Sequence, residues 1–168
     1  AHSWITSNPS RLLGTELDNI INKLQKHFLE NNIPFTILKN TDQLIHNLSN
    51  LNLPNITDYS FTSFDFSSLY TNITHQDTIN AIITSCKFLN LPIKYRDFLL
   101  NLNHFVNNNN YFKVGNKRYK QIKCVAMGSY HSRQIADLVL LLCEQKFLNS
   151  LNNTYIKNNV IIFNRYID

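Results

Sequence analysis

The chain has 168 residues and a mass of 19.6 kDa, which is enough for one domain with a hydrophobic core. Hydrophobic residues make up 43% of it and exclude a disordered chain, while the longest apolar run, residues 138–143, is too short to span a membrane. The net charge of +5 is compatible with a nucleic-acid partner but does not require one.

Helical spacing of apolar residues predicts five helices. The first begins at Ser7-Asn8-Pro9 and ends at residues 31–34, and a shorter one is predicted around residues 41–49. Residues 74–77 cap a third helix that Pro92 ends, a fourth follows Pro92, and a fifth covers about 131–148. The predicted inward faces carry Leu13, Leu17, Ile20, Ile21, Leu24 and Phe28, then Leu44, Ile45 and Leu48, then Ile79, Ile82, Ile83 and Cys86, then Tyr95, Phe98, Leu99, Leu102 and Val106, and finally Ile135, Leu138, Val139, Leu142 and Phe147.

Two apolar, aromatic segments, residues 59–66 and 160–167, predict strands, and each has an aspartate at or just beyond its end. Between them, residues 111–114 and 117–120 flank Gly115-Asn116, which predicts a hairpin with a type II′ turn. Helices interleaved with few strands predict an α+β fold, a small antiparallel sheet packed with several helices. We expect a single domain, with residues 1–58 as helices on one side and residues 59–168 as its core.

The cysteines and histidines predict no metal site. The three cysteines are scattered without ligand spacing, which indicates buried free thiols in a reducing compartment. No signal peptide opens the chain, so an intracellular protein is expected. The six histidines have no ligand spacing either and are predicted to lie on the surface or on helix faces. No histidine or acid is placed to complete a triad with Ser129, which argues against a hydrolase.

The two strand-end aspartates, Asp65 and Asp168, indicate a shared chemistry. In phosphoryl transfer, two divalent ions roughly 4 Å apart neutralise the attacking and leaving oxygens. Mg²⁺ prefers oxygen ligands and keeps several waters, so two or three carboxylates and the substrate phosphates suffice. On adjacent antiparallel strands, the two carboxylates would reach one two-metal site, whereas either aspartate taken alone could simply face solvent.

Three motifs together resemble those of Penelope-like element reverse transcriptases. Residues 64–73, FDFSSLYTNI, resemble the first palm motif, a catalytic Asp followed by Ser-Leu-Tyr-Thr-Asn-Ile. Residues 119–129, with Gln-Ile followed by Ala-Met-Gly-Ser, resemble the next motif, and residues 165–168, RYID, resemble the start of the Tyr-x-Asp-Asp motif. The order and spacing match across residues 40–168. The resemblance implies a reverse-transcriptase-like fingers and palm, with residues 1–58 on the fingers side.

The resemblance also implies site residues and cofactors. Asp65 and Asp168 would be catalytic and would bind two Mg²⁺ or Mn²⁺ ions, with the Phe66 carbonyl as a further ligand. Tyr70 would exclude a ribose 2′-hydroxyl and so favour deoxynucleotides. Without the resemblance, a core residue of the strand-to-helix turn is the favoured interpretation of Tyr70. Nucleotide contacts would also come from Gly128 and Ser129, where the backbone approaches the incoming nucleotide, and from Gln121, which would support that loop or the template.

The predicted hairpin and the segment after it are basic. The cationic residues are Lys113, Lys117, Arg118, Lys120 and Lys123, and they are interleaved with Tyr111 and Tyr119. Such a pattern could follow a nucleic-acid backbone, or it could be an ordinary solvated hairpin face. Under the resemblance, the partners would be an RNA template, a DNA primer and deoxynucleoside triphosphates, with no membrane partner and a nuclear location.

Departures from the family motif keep a second hypothesis open. The family follows Gly-Ser with Pro and a further Pro-containing stretch, but this chain has Tyr130-His131-Ser132-Arg133, and Thr74 stands where the family has Pro. The leading interpretation is RNA-directed DNA synthesis by a protein of which this chain is the fingers-palm fragment. A second Asp is expected directly after Asp168, so the isolated fragment is predicted to be inactive. The alternative is a non-catalytic, polymerase-like module that binds nucleic acid or protein.

Overall fold

A computed structural model describes residues 4–31, 35–52, 55, 58–150 and 159–166. Within these ranges the fold is α+β, with six helices and four short strands. In chain order they are α1 (Trp4–Glu30), β1 (Phe35–Leu38), α2 (Thr41–Ser49), α3 (Leu69–Asn72), α4 (His75–Phe88), α5 (Ile93–Asn108), β2 (Tyr111–Val114), β3 (Lys117–Lys120), α6 (Ser132–Ser150) and β4 (Phe163–Tyr166). No helix in the described ranges is both long and apolar enough to cross a membrane.

Helix α1 provides one wall of the hydrophobic core and packs against α5 and α6. Its six predicted inward residues are all buried, which confirms the helical periodicity. The predicted start at Ser7 is wrong, because the helix already includes Trp4 and holds Pro9 inside it. The first turns of α1 pack into the molecule, since Thr6 and Ser10 are buried.

Helices α4, α5 and α6 complete the core. The predicted cap of α4 is confirmed as a capping box, in which Thr74 and Asp77 exchange hydrogen bonds. Pro92 precedes α5 as predicted. Leu99, Ile82 and Leu138 are fully buried where these helices meet. The predicted inward residue Phe147 is 55% exposed, and its neighbour Leu148 is buried in the core instead.

The sheet in the core differs from the predicted one. Strand β4 pairs with β1 in parallel, with Phe35 opposite Phe163 and Leu38 opposite Tyr166, so the antiparallel arrangement predicted for the core sheet is wrong. Strand β1, a short Phe-Thr-Ile-Leu run whose Phe35, Ile37 and Leu38 are buried, was not predicted. It lies against α1 and takes the position beside β4.

The strand predicted for residues 59–66 does not form. This segment is irregular, and every residue from Ser60 to Ser68 is exposed. Its aromatic composition is typical of a strand, but a strand needs a paired neighbour, and the neighbour of β4 is β1. A short helix, α3, follows it and was also not predicted.

The predicted hairpin is confirmed. Strands β2 and β3 pair antiparallel, with Phe112 opposite Tyr119 and Val114 opposite Lys117. Gly115 has φ +58°, while Asn116 is not among the residues with positive φ, as a type II′ turn requires. All ten residues from 111 to 120 are exposed, so the hairpin projects from the core.

Candidate functional site

Two segments predicted to border one site are in direct contact. The backbone N–H of Val125 donates to the Tyr70 carbonyl at 3.2 Å, and the Cys124 thiol donates to the Thr71 carbonyl at 2.8 Å. The His75 side chain lies 3.0 Å from the Cys124 carbonyl through Nε2. Cys124 has φ +66°, which turns the chain so that its side chain and its carbonyl both meet the α3–α4 region. These contacts fix residues 124–125 against residues 70–75.

Gln121 holds the same loop from the other side. Its backbone N–H donates to the Asn110 carbonyl at 2.9 Å, and its side-chain Oε1 accepts from Asn110 Nδ2 at 3.3 Å. Its Nε2 donates to the carbonyls of Lys123 at 2.9 Å and Cys124 at 3.3 Å. The side chain therefore joins the base of the hairpin to the segment that approaches Tyr70.

Residues 126–132 form a tight turn before α6. The Ser129 N–H donates to the Ala126 carbonyl at 3.4 Å, and the Ser132 hydroxyl donates to the same carbonyl in a short hydrogen bond. Gly128 has φ +84°, and a Cβ added there would meet no atom within 4 Å. Glycine is therefore favoured at this position by the backbone conformation and not by a lack of space.

A small cavity of about 120 Å³ brings the base of the hairpin, the tight turn and the start of α1 together. Its wall consists of Thr6, Ser7, Ser10, Asn110, Tyr111, Phe112, Gln121, Ala126, Met127, Gly128, Ser129 and Tyr130. Hydroxyl and amide groups thus line much of it, and the three predicted nucleotide-binding residues of the second motif share it. Of the first motif's described residues, neither Asp65 nor Tyr70 lines this cavity.

The predicted metal ligands are not gathered by the described part of the chain. Asp65 lies exposed in the irregular segment, and its Oδ1 accepts from the Phe66 N–H at 2.8 Å. Asp168, together with Ile167, lies outside the described residues. Over the described ranges there is no group of three histidine, cysteine or acidic side chains that could hold a metal ion. The predicted pairing of Asp65 and Asp168 stays a prediction, although the strand expected to carry Asp65 is absent.

Tyr70 is half-buried in α3 and packs against the hydrophobic core. The core role considered for this residue from sequence is thus present, and its carbonyl also anchors Val125. A contact with a nucleotide sugar would use the part of the side chain that is not covered.

The hairpin presents a local excess of positive charge. Lys113, Lys117, Arg118, Lys120 and Lys123 are all exposed, and none of them pairs with a carboxylate within the described residues. No acidic residue occurs in the sequence between Asp97 and Asp137. The cations are therefore not neutralised by residues nearby in the sequence, and their field extends into solvent.

His131 was wrongly predicted to lie on the surface or on a helix face. It is 2% exposed, its Nδ1 lies 2.9 Å from the Ser10 hydroxyl, and its backbone N–H donates to the same oxygen at 3.3 Å. Burial lowers its pKa to about 4, so the ring is neutral at pH 7. The neighbouring Tyr130 hydroxyl accepts from Arg11 at 2.8 Å, and the guanidinium lies 4.4 Å from the Tyr130 ring centroid.

These contacts give a role to the segment that departs from the family motif. Tyr130 stands where the resembled family has proline, and Tyr130 and His131 both bind α1. A side chain added at Gly14 would come within 3.2 Å of the Tyr130 carbonyl, so the approach is close. Partners 121 residues apart leave no local signal, and sequence reasoning could not have found this link.

Arg165, which precedes the predicted catalytic aspartate by three residues, lies in a buried charge cluster. Its Nε is 3.2 Å from Glu144 Oε1, its Nη1 is 3.5 Å from Asp137 Oδ1, and its Nη2 donates to the Asp137 carbonyl at 3.1 Å. Burial raises the pKa of Glu144 to about 7 and also raises that of Asp137, while the Arg165 charge opposes both shifts. The cluster ties β4 to α6.

Comparison with known proteins found no match to this chain among family models, curated proteins or solved structures.

Proposed function

We propose that this chain is the fingers-palm part of an RNA-directed DNA polymerase of the retroelement type. The observation that carries the proposal is the contact between the two central motifs. Cys124 meets Thr71 and His75 although 53 and 49 residues separate them. In the resembled family these two motifs border one nucleotide site, and here they are bound to each other by hydrogen bonds.

In this proposal, Asp65 and Asp168 hold two Mg²⁺ or Mn²⁺ ions, with the Phe66 carbonyl as an added ligand. Such ions neutralise charge on the attacking and leaving oxygens. The exposed carboxylate of Asp65 supports part of this assignment, because it forms no ion pair among the described residues and is open to a metal–phosphate group. The role of Asp168 draws on its motif alone.

The nucleotide would lie along the contact between the motifs. Tyr70 would limit the space at the sugar 2′-position, and the turn at Gly128 and Ser129 would present backbone to the substrate. The polar wall of the adjoining cavity supports this placement, since hydroxyls and amides suit a heteroatom-rich ligand. Gln121 would act by holding the loop.

The template and primer would be attracted by the hairpin. Its four exposed cations and nearby Lys123 are complementary to phosphates, and binding through them would weaken with salt. A nuclear location would follow from action on chromosomal DNA.

The proposal is tested by calorimetric titration of the chain with dTTP and Mg²⁺. We expect binding that requires Mg²⁺ and that falls at least tenfold in Asp65→Asn. Asp58→Asn is the matched control, because Asp58 is an exposed aspartate shortly before Asp65, and it should bind as the unchanged chain does. Binding of dTTP that does not depend on Mg²⁺, or an equal loss of affinity in both variants, would contradict the proposal.

A non-catalytic module that binds nucleic acid is the second candidate. The observation in its favour is that Asp65 lies in an exposed, irregular segment and not on a sheet strand. It predicts RNA binding that is unchanged in Asp65→Asn, together with no Mg²⁺-dependent nucleotide binding. A loss of nucleotide binding in that variant would exclude it.

A further inference from the structure

We propose that the β2–β3 hairpin binds single-stranded nucleic acid by stacking bases on the rings of Phe112 and Tyr119. The inference rests on the nucleic-acid role proposed for the hairpin and adds the class of ligand and the mode of contact. Phosphate attraction alone would serve duplex and single strand alike, whereas stacking on a protein ring requires bases that are not paired and covered.

The two aromatic rings of the hairpin are stacked on each other and remain partly exposed. Phe112 and Tyr119 are opposite each other in the hairpin, with ring centroids 5.6 Å apart and ring planes 21° from parallel. Both residues remain 44% exposed. Two stacked rings that project with the hairpin leave an outer ring surface in water, and such exposed aromatic area marks a contact site.

The two faces of the hairpin carry different kinds of side chain. Residues opposite each other share a face and successive residues alternate, so Phe112, Val114, Lys117 and Tyr119 form one face and Tyr111, Lys113, Arg118 and Lys120 form the other. The first is aromatic and apolar with a single cation, and the second carries three cations. A flexible single strand can place its bases on the first face while its phosphates stay near the cations of both.

The charge of the hairpin is entirely positive. Neither strand contains an acidic residue, and none lies between Asp97 and Asp137 in the sequence. A protein partner of ordinary composition would leave these cations uncompensated, while a polyphosphate backbone neutralises them along the length of the hairpin. Phe112 also lines the polar cavity, so a nucleic-acid strand bound on the aromatic face would reach the proposed nucleotide site.

A duplex is the competing nucleic-acid ligand, since a two-stranded ribbon can enter a major groove. Groove reading uses side chains that hydrogen-bond to base edges. Within the two strands Arg118 alone carries a planar fork of donors, and neither strand has an asparagine or glutamine. The protruding feature is instead a pair of planar rings. The hairpin is therefore better suited to unpaired bases.

The test compares three fluorescently labelled ligands by anisotropy over a series of salt concentrations. They are an oligothymidylate, an abasic oligomer with the same number of phosphates, and a duplex of equal length. We expect the chain to bind oligothymidylate about tenfold more tightly than the abasic oligomer, a difference of about 1.4 kcal/mol that the stacking of one base can supply. It should also bind oligothymidylate more tightly than the duplex.

Matched variants separate stacking from charge. Phe112→Leu with Tyr119→Leu keeps apolar volume but removes both rings, and it should abolish the preference for bases while leaving the salt dependence unchanged. Lys113→Gln with Arg118→Gln keeps the rings and should weaken binding of all three ligands. It should reduce the salt slope by about 1.4 for the two single-stranded ligands and by about 1.8 for the duplex. All four residues are exposed, and circular dichroism would show that each variant is folded.

Equal binding of the thymidylate and abasic oligomers, or an unchanged preference in the double-Leu variant, would overturn the stacking proposal while leaving charge-based nucleic-acid binding in place. Tighter binding of the duplex would overturn it as well. Failure to bind any of the three ligands would overturn both the stacking and the nucleic-acid role of the hairpin. None of these outcomes affects the separate dTTP test of the polymerase proposal.

Discussion

At the scale of single residues, His131 links stability to pH. Its pKa falls from 6.5 to about 4 on folding, because burial disfavours the charged ring. Between these values the unfolded chain binds more protons than the folded chain, so this residue makes the protein less stable as the pH falls from about 6.5 to 4. The loss amounts to about 3 kcal/mol.

Glu144 acts in the opposite direction. Its pKa rises from 4.5 to about 7 on folding, so its contribution to stability falls as the pH rises through that interval. Denaturant unfolding of the chain and of His131→Gln, measured between pH 4 and 7, isolates the histidine contribution. The variant should retain more of its pH 7 stability at pH 4 than the unchanged chain does, and parallel pH profiles would contradict the burial of a neutral His131.

Arg165 and Arg133 provide a matched comparison, because both contact Asp137 but only Arg165 is buried. The Arg133 side chain is 42% exposed and the Arg165 side chain 4%. We expect Arg165→Met to lower the free energy of unfolding by about 3 to 5 kcal/mol, since it leaves the buried Asp137 carboxylate and the partly buried Glu144 carboxylate without their main partner. Arg133→Met should lower it by less than about 1 kcal/mol. If chemical denaturation gave equal losses of unfolding free energy for the two variants, the buried ion pairs assigned to Arg165 would be refuted.

Substitution of Tyr70 tests its proposed role in selecting deoxyribose over ribose. If its ring limits the space at the 2′-position, Tyr70→Ala should raise the affinity for UTP relative to dTTP by on the order of tenfold. Tyr70→Phe retains the ring and should leave the ratio unchanged. Because the readout is a ratio, partial unfolding of the alanine variant does not alter it. An unchanged ratio in both variants would leave Tyr70 with its core role alone.

At the scale of elements, removing the capping box of α4 should lower the stability of the protein by a measurable amount. Thr74 receives a hydrogen bond from the Asp77 N–H at 3.1 Å, and its hydroxyl donates to the Asp77 carboxylate at 2.7 Å. Thr74→Ala should destabilise the protein by about 1 kcal/mol in denaturant unfolding, whereas Thr74→Ser keeps the hydroxyl and should cost less than half as much. Similar losses in both variants would show that the cap contributes little.

Local signals account for the elements that sequence reasoning predicted. The periodic face of α1, the cap of α4, Pro92 before α5 and the Gly115 turn each act within a few residues, and all of them are found. The sheet depends on partners far apart, since Phe35 pairs with Phe163. Nothing within residues 59–66 reveals that β1 takes the place beside β4, so that segment was wrongly predicted as a strand.

At the scale of the whole molecule, segments far apart in the chain are joined by hydrogen bonds. Cys124 and Val125 bind the residues around Tyr70, and Gln121 holds the loop that carries them. The links from α1 to Tyr130 and His131, and from α6 to Arg165, join parts of one core over long separations. Such contacts follow from packing, which no local pattern encodes.

A single nucleotide site formed by both motifs would be visible in amide NMR spectra of the isotopically labelled chain, recorded during titration with dTTP and Mg²⁺. We expect the amide signals of Asp65, Tyr70, Gly128 and Ser129 to shift together with one dissociation constant, and the shifts to vanish when Mg²⁺ is chelated. Shifts confined to one motif, or a saturating titration that leaves all four signals in place, would contradict such a site.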